Sequence, residues 1–68
     1  MARFEQFEIW EFNHGRWDFT ASFSDFDVAH VMASKRRYRV RLMLVVYEDG
    51  KAVDQEILTE IGATRDEP

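Results

Sequence analysis

The sequence predicts a small α+β domain of element order ββαββ, in which two antiparallel hairpins form a four-stranded sheet and one helix packs on one face. Three observations lead to this prediction. Apolar and polar residues alternate along several stretches, as they do in strands with one buried face. The turn signals His14-Gly15 and Asp49-Gly50 each separate two such stretches. A capped segment of helical periodicity lies between the two hairpins.

The first hairpin is predicted from strands over residues 4–12 and 16–23. A two-residue loop at His14-Gly15 would pair Phe12 with Trp17 and Trp10 with Phe19. Because the second strand alternates cleanly, these four aromatic side chains are expected on the core face of the sheet.

The helix is predicted over residues 25–36. Ser24 is the expected N-cap, and Asp27 three residues later gives a variant of the capping box. Apolar residues recur at helical spacing, with small residues between them that allow close packing. They are Val28, Val31 and Met32, with Ala29 and Ala33.

The third strand, over residues 38–46, carries apolar residues at its even positions, so these are expected to face the core. Asp49-Gly50 is the strongest hairpin signal in the chain and sets Glu48 opposite Lys51. Continuing that register outward gives the expected core pairs Val46 with Val53, Leu42 with Ile57, and Tyr38 with Ile61.

The odd positions of the third strand predict an outer face, away from the helix, that is basic at one end and apolar at the other: Arg39 and Arg41 are followed by Met43, Val45 and Tyr47. The first strand adds to this face if Trp10 and Phe12 point to the core. Six apolar side chains on this face would form a patch of several hundred Å², and monomers rarely leave so large an apolar patch exposed. We therefore expect an interface with a second copy or with another protein, unless the chain termini cover part of the patch. The candidate interface residues are Phe7, Ile9, Met43, Val45, Tyr47 and Leu58.

A basic cluster at the helix end and the start of the third strand offers the alternative of nucleic-acid binding. It consists of Lys35, Arg36, Arg37, Arg39 and Arg41. The predicted register places Glu60 opposite Arg39, which neutralises part of the cluster, and the net charge of −4 disfavours phosphate backbones.

Gly15-Arg16-Trp17, followed by Phe23-Ser24-Asp25 and a helix, resembles the hairpin and helix of AP2-like and phage-integrase arm-binding domains over residues 8–36. The chain departs from that pattern in its first strand. Glu5, Glu8 and Glu11 stand where those domains have basic residues that read bases. No family is assigned from this resemblance.

No pattern in the chain predicts an enzyme, a cofactor or a metal site. His14 and His30 lack the spacing of a ligand pair, and the serines have no adjacent base. Sixty-eight residues without a repeat predict one domain over residues 1–68, with a frayed tail at about residues 63–68. The absence of cysteine, of a signal sequence and of a membrane-spanning stretch leads us to expect a cytoplasmic protein.

Overall fold

A computed structural model describes residues 2–62 of the chain, so the predicted tail at 63–68 lies outside the described residues. Four strands form a single sheet in the order β2-β1-β3-β4, and one helix joins β2 to β3. This confirms the predicted ββαββ order and the α+β class. The elements are β1 (Arg3–Asn13), β2 (Arg16–Phe23), α1 (Phe26–Ser34), β3 (Val40–Glu48) and β4 (Lys51–Ile61).

The strand order could not be fixed from the sequence. β1 and β3 are the central strands and pair antiparallel along nine residues, from Arg3 opposite Glu48 to Glu11 opposite Val40. β2 and β3 both run antiparallel to β1, so they are parallel to each other with β1 between them. The helix therefore connects two parallel strands across a third strand.

Both hairpin turns form where the sequence predicts them. His14 and Gly15 have φ angles of 50° and 82°, and Asp49 and Gly50 have φ angles of 52° and 81°. Two successive positive φ values match the right-handed twist of the flanking strands, and Asp and Gly adopt them readily. The predicted pair of Glu48 with Lys51 is confirmed.

Beyond the second turn, two β-bulges shift the register, so the predicted core pairs in β3 and β4 are wrong. Val53 is the extra residue at the first bulge, and Val46 consequently pairs with Asp54. Leu58 is the extra residue at the second, after which Leu42 pairs with Thr59. A bulge adds one unpaired residue to one strand and changes every later pairing on that strand. Ile61 accordingly pairs with Val40 rather than with Tyr38, which precedes β3.

The first hairpin keeps its predicted pairs near the turn, with Phe12 opposite Trp17 and Trp10 opposite Phe19. A shift then follows, because Ile9 pairs with Ala21 and leaves Thr20 as the extra residue. Because the extra residue interrupts the alternation, the side chains of β2 before and after Thr20 do not follow one alternating pattern.

The helix is shorter than predicted and begins at a different cap. Asp25, not Ser24, is the N-cap, and its Oδ1 accepts a hydrogen bond of 3.2 Å from the Val28 backbone N–H. Lys35 is the C-cap. The two fully buried helix residues are Ala29 and Ala33, which lie four residues apart on one face.

The large apolar residues of the helix, which the sequence places at helical spacing, do not lie on its buried face. Val28, Val31 and Met32 are 48%, 50% and 42% exposed. The helix meets the sheet through its alanines instead, because residues without large side chains permit a close approach between helix and strands.

The hydrophobic core lies between these alanines and one face of the sheet. Ile9, Val40 and Leu42 cluster with Ala29 and Ala33, and all five are at most 1% exposed. Phe7, Phe23 and Ile61 pack against this cluster. We call this face of the sheet the helix side and the opposite face the outer face. Since side chains alternate along a strand, the core residues fix the facing of their neighbours.

Candidate interaction surface on the outer sheet face

The facing predicted for the first strand is wrong. Ile9 is 1% exposed within the core, and the Phe7 ring packs edge-on against the Phe26 ring of the helix, with centroids 5.6 Å apart. Both residues therefore lie on the helix side and are not available to an outer interface. Trp10 and Phe12, which were expected in the core, alternate onto the outer face instead.

The other predicted interface residues have mixed positions. Met43, Val45 and Tyr47 do share the outer face, since they pair with Glu8, Gln6 and Phe4 of β1. Val45, however, is only 2% exposed, so it supports the sheet rather than offering surface to a partner. Leu58 is the unpaired residue of a bulge, and the residue opposite Met43 is Ile57, which is 50% exposed.

An aromatic cluster occupies the outer face at the end of the sheet that holds the His14-Gly15 turn. The rings of Trp10 and Phe19 meet edge-on with centroids 5.6 Å apart, and those of Phe12 and Trp17 lie 5.0 Å apart. Such pairs add about 0.5–1.5 kcal/mol each beyond the area that they bury. We define the aromatic cluster as Trp10, Phe12, Trp17 and Phe19.

Two arginines from β3 lie on the aromatic cluster. The Arg41 guanidinium carbon is 4.0 Å from the centroid of the Trp17 ring, and that of Arg39 is 5.2 Å from the Phe12 centroid. Arg39 Nε also lies 2.6 Å from Glu60 Oε1, and Arg41 Nε lies 3.9 Å from the same oxygen. The two cations are thus held between π faces and a single carboxylate.

The rest of the predicted basic cluster does not join these two arginines on the outer face. Lys35 caps the helix, and Arg36 Nη2 lies 3.5 Å from Glu11 Oε2. Glu11 pairs with Val40, a core residue, so this ion pair is on the helix side. Arg37 is exposed in the loop before β3. The predicted contact between Arg39 and Glu60 forms, although Glu60 pairs in register with Arg41.

Glu8 is the buried charged residue of the outer face, with an exposed fraction of 3%. Its carboxylate accepts hydrogen bonds from Gln6 Nε2 at 2.7 Å, from Trp10 Nε1 at 2.9 Å and from the Tyr47 hydroxyl. Three donors replace the water that burial removes from the carboxylate. The hydrogen bond to Glu8, followed by burial and by the charge of Glu8, raises the pKa of Tyr47 above its usual value of 10.0.

A shallow cavity of about 180 Å³ opens on the outer face beside the aromatic cluster. Its walls are Trp10, Trp17, Arg41, Met43 and Gln55. Pockets for small-molecule ligands span about 300–1,000 Å³, so this cavity has the size for a single side chain rather than for a whole ligand.

Sequence reasoning missed the aromatic cluster because it assigned large apolar residues to the core. The signal that could have placed them is in the helix, whose buried residues are the alanines Ala29 and Ala33. A helix that approaches a sheet through alanines, with Phe7 and Phe23 already packed against the same core, leaves too little space for two tryptophans and two more phenylalanines beneath it.

No helix among residues 2–62 is long and apolar enough to cross a membrane. Within the same residues, no group of three or more histidine, cysteine or carboxylate side chains is placed to hold a metal ion. Comparisons of the chain with protein-family models, with curated proteins and with solved structures found no match.

Proposed function

We propose that this chain is a non-enzymatic interaction module that forms a homodimer through its outer sheet face. One observation carries the proposal: both tryptophans, with Phe12 and Phe19, lie on the face opposite the helix, and no helix or strand in residues 2–62 packs over that face. The exposed fraction of Phe19 is 51% and that of Ile57 is 50%. Large apolar patches of this kind mark association surfaces.

The size of the face supports an interface of ordinary dimensions. The molecule is a slab with extents of 42 × 25 × 15 Å. Its broad face has an outline on the order of 800 Å², which is what each partner contributes to a standard protein interface. A second copy supplies a surface of the same area and chemistry, and symmetric pairing of identical faces is the commonest form of oligomer. A cytoplasmic location, suggested by the cysteine-free composition, belongs to the same proposal.

Light scattering at tens of micromolar tests the homodimer, and we expect twice the mass of the chain. Ile57→Lys should return the mass to that of a monomer, because it places a charge among the exposed apolar side chains of the outer face, opposite Met43. Val31→Lys is the matched control, since Val31 is also 50% exposed but lies on the helix. A monomeric wild-type protein would refute the homodimer. Dissociation by Val31→Lys but not by Ile57→Lys would move the interface to the helix.

Nucleic-acid binding is the second candidate, and one observation favours it. Arg41 on the Trp17 face places a cation beside π surfaces on an open sheet, an arrangement that proteins use to bind single strands. Glu60, shared by Arg39 and Arg41, opposes it by reducing the positive potential. A salt titration with mixed single-stranded oligonucleotides decides the matter, because absence of binding at low salt eliminates this candidate.

A further inference from the structure

The charged side chains divide the molecule into two ends of opposite sign. The dividing row is Ile9 with its partners Ala21 and Leu42. The end with the His14-Gly15 turn, which we call the basic end, holds six cations and three carboxylates among residues 2–62, for a net charge of +3. The acidic end, with the Asp49-Gly50 turn and the helix N-terminus, holds two cations and eight carboxylates, for a net charge of −6.

Two identical sheets can stack face to face about a two-fold axis in either of two limiting orientations. An axis along the strands sets like ends over each other, and an axis across the strands sets each basic end over an acidic end. The ends of one molecule are separated along its 42 Å length. Stacked sheets lie only about 10 Å apart, close to the Debye length of about 8 Å at physiological ionic strength. The choice of orientation is therefore controlled mainly by charges that face each other across the interface.

Charges on the outer face itself favour the second orientation. Like ends in contact would bring the Arg39 and Arg41 guanidinium groups of both copies together, with one Glu60 in each copy to offset them. Opposite ends in contact set these arginines over the half of the partner's face that holds the stacked rings of Phe4 and Tyr47, whose centroids are 5.2 Å apart. Guanidinium groups bind aromatic faces. The buried carboxylate of Glu8 lies in the same half and adds its negative charge without direct contact.

We propose that two copies of this chain pack outer face to outer face with their sheets antiparallel, so that the basic end of each covers the acidic end of the other. This inference rests on the proposed homodimer and adds its orientation. It is compatible with aligned sheet packing, in which strand directions differ by about 30°. In this arrangement each strand lies over the same strand of the partner, with its direction reversed.

Pulsed dipolar spectroscopy on spin-labelled cysteine variants tests the orientation, and the chain has no native cysteine to interfere. Arg16→Cys labels the basic end and Lys51→Cys the acidic end, both at exposed positions. Each variant labelled alone should give a distance of several tens of Å, approaching the 42 Å length of the molecule. An equimolar mixture should add a markedly shorter distance, because the Cα atoms of the two labelled positions then lie roughly 15–20 Å apart, from three strand spacings combined with one sheet separation.

The outcomes separate the two proposals. Two results in a sample of dimeric mass would overturn the antiparallel orientation and leave the homodimer standing. One is a short distance in either variant labelled alone, and the other is a mixture that shows no short distance. The absence of any dipolar signal, with a monomeric mass by light scattering, overturns the homodimer itself. Arg16 pairs with Asp18 at 3.1 Å on the surface, a contact of little energetic value, so its loss does not threaten the fold.

Discussion

Replacing Glu8 with alanine tests whether the outer face is an ordered surface in the single chain. The substitution removes the acceptor of three hydrogen bonds, from Gln6, Trp10 and Tyr47. Hydrogen bonds to a charged group contribute about 1.5–3 kcal/mol each. Removing the buried carboxylate also recovers its desolvation cost of several kcal/mol, and the partly exposed donors regain water. We expect a net loss of about 2–4 kcal/mol in the free energy of unfolding.

Urea unfolding followed by tryptophan fluorescence measures this loss, and Trp10 reports on the network directly through its bond to Glu8. The matched control is Glu5→Ala, the same change at an exposed position three residues earlier in β1. It should change stability by no more than about 0.5 kcal/mol. All variants are compared at one protein concentration, because dimerisation makes apparent stability depend on concentration. Equal effects of the two substitutions would refute the reasoning.

Three further predictions concern facing, pH and turn geometry. Ile9→Ala should cost about 2–4 kcal/mol of unfolding free energy, whereas Phe19→Ala, at a half-exposed position, should cost about 1 kcal/mol. A larger loss for Phe19→Ala than for Ile9→Ala in urea unfolding would support the facing expected from the sequence, with Phe19 in the core and Ile9 outside. Because folding raises the pKa of Tyr47, its contribution to stability is complete below pH 10 and is lost as the pH rises through the folded-state pKa. Tyr47→Phe should therefore flatten the fall in unfolding free energy above pH 10, and an unchanged slope would contradict this. Gly50→Ala should lower the free energy of unfolding by about 1 kcal/mol, because an alanine is strained at φ +81°. No steric clash adds to this cost, since no atom lies within 4 Å of the added Cβ. A thermal unfolding midpoint that does not fall would contradict this prediction.

Local chemistry made the turns and the element order predictable. Asp49 and Gly50 are residue types that accept successive positive φ angles, and the pairing closest to that turn follows from loop length alone. The same logic predicted the pairs of Trp10 with Phe19 and Phe12 with Trp17. These features depend on a few neighbouring residues.

The bulges were not predictable because a single extra residue leaves little trace in a pattern of alternation. Thr20, Val53 and Leu58 are ordinary strand residues, and nothing in their identity marks them as unpaired. The facing of the first hairpin failed for a related reason. Once Thr20 is the extra residue, Ala21 joins Ile9 on the helix side while Phe19 remains opposite Trp10 on the outer face.

The division of side chains between the two faces bears on how the outer face could associate. The alanine face of the helix packs on Ile9 and Val40, with Phe7 and Phe23 against the same cluster, whereas the aromatic cluster lies on the opposite side of the sheet. There they are already held in place, by ring contacts, by the guanidinium of Arg41 and by the buried carboxylate of Glu8. Immobilising a flexible side chain on binding costs about 0.5–1.5 kcal/mol, and rigid aromatic contacts avoid much of that cost. A face ordered before contact therefore retains more of its hydrophobic free energy for association than a flexible patch of equal area.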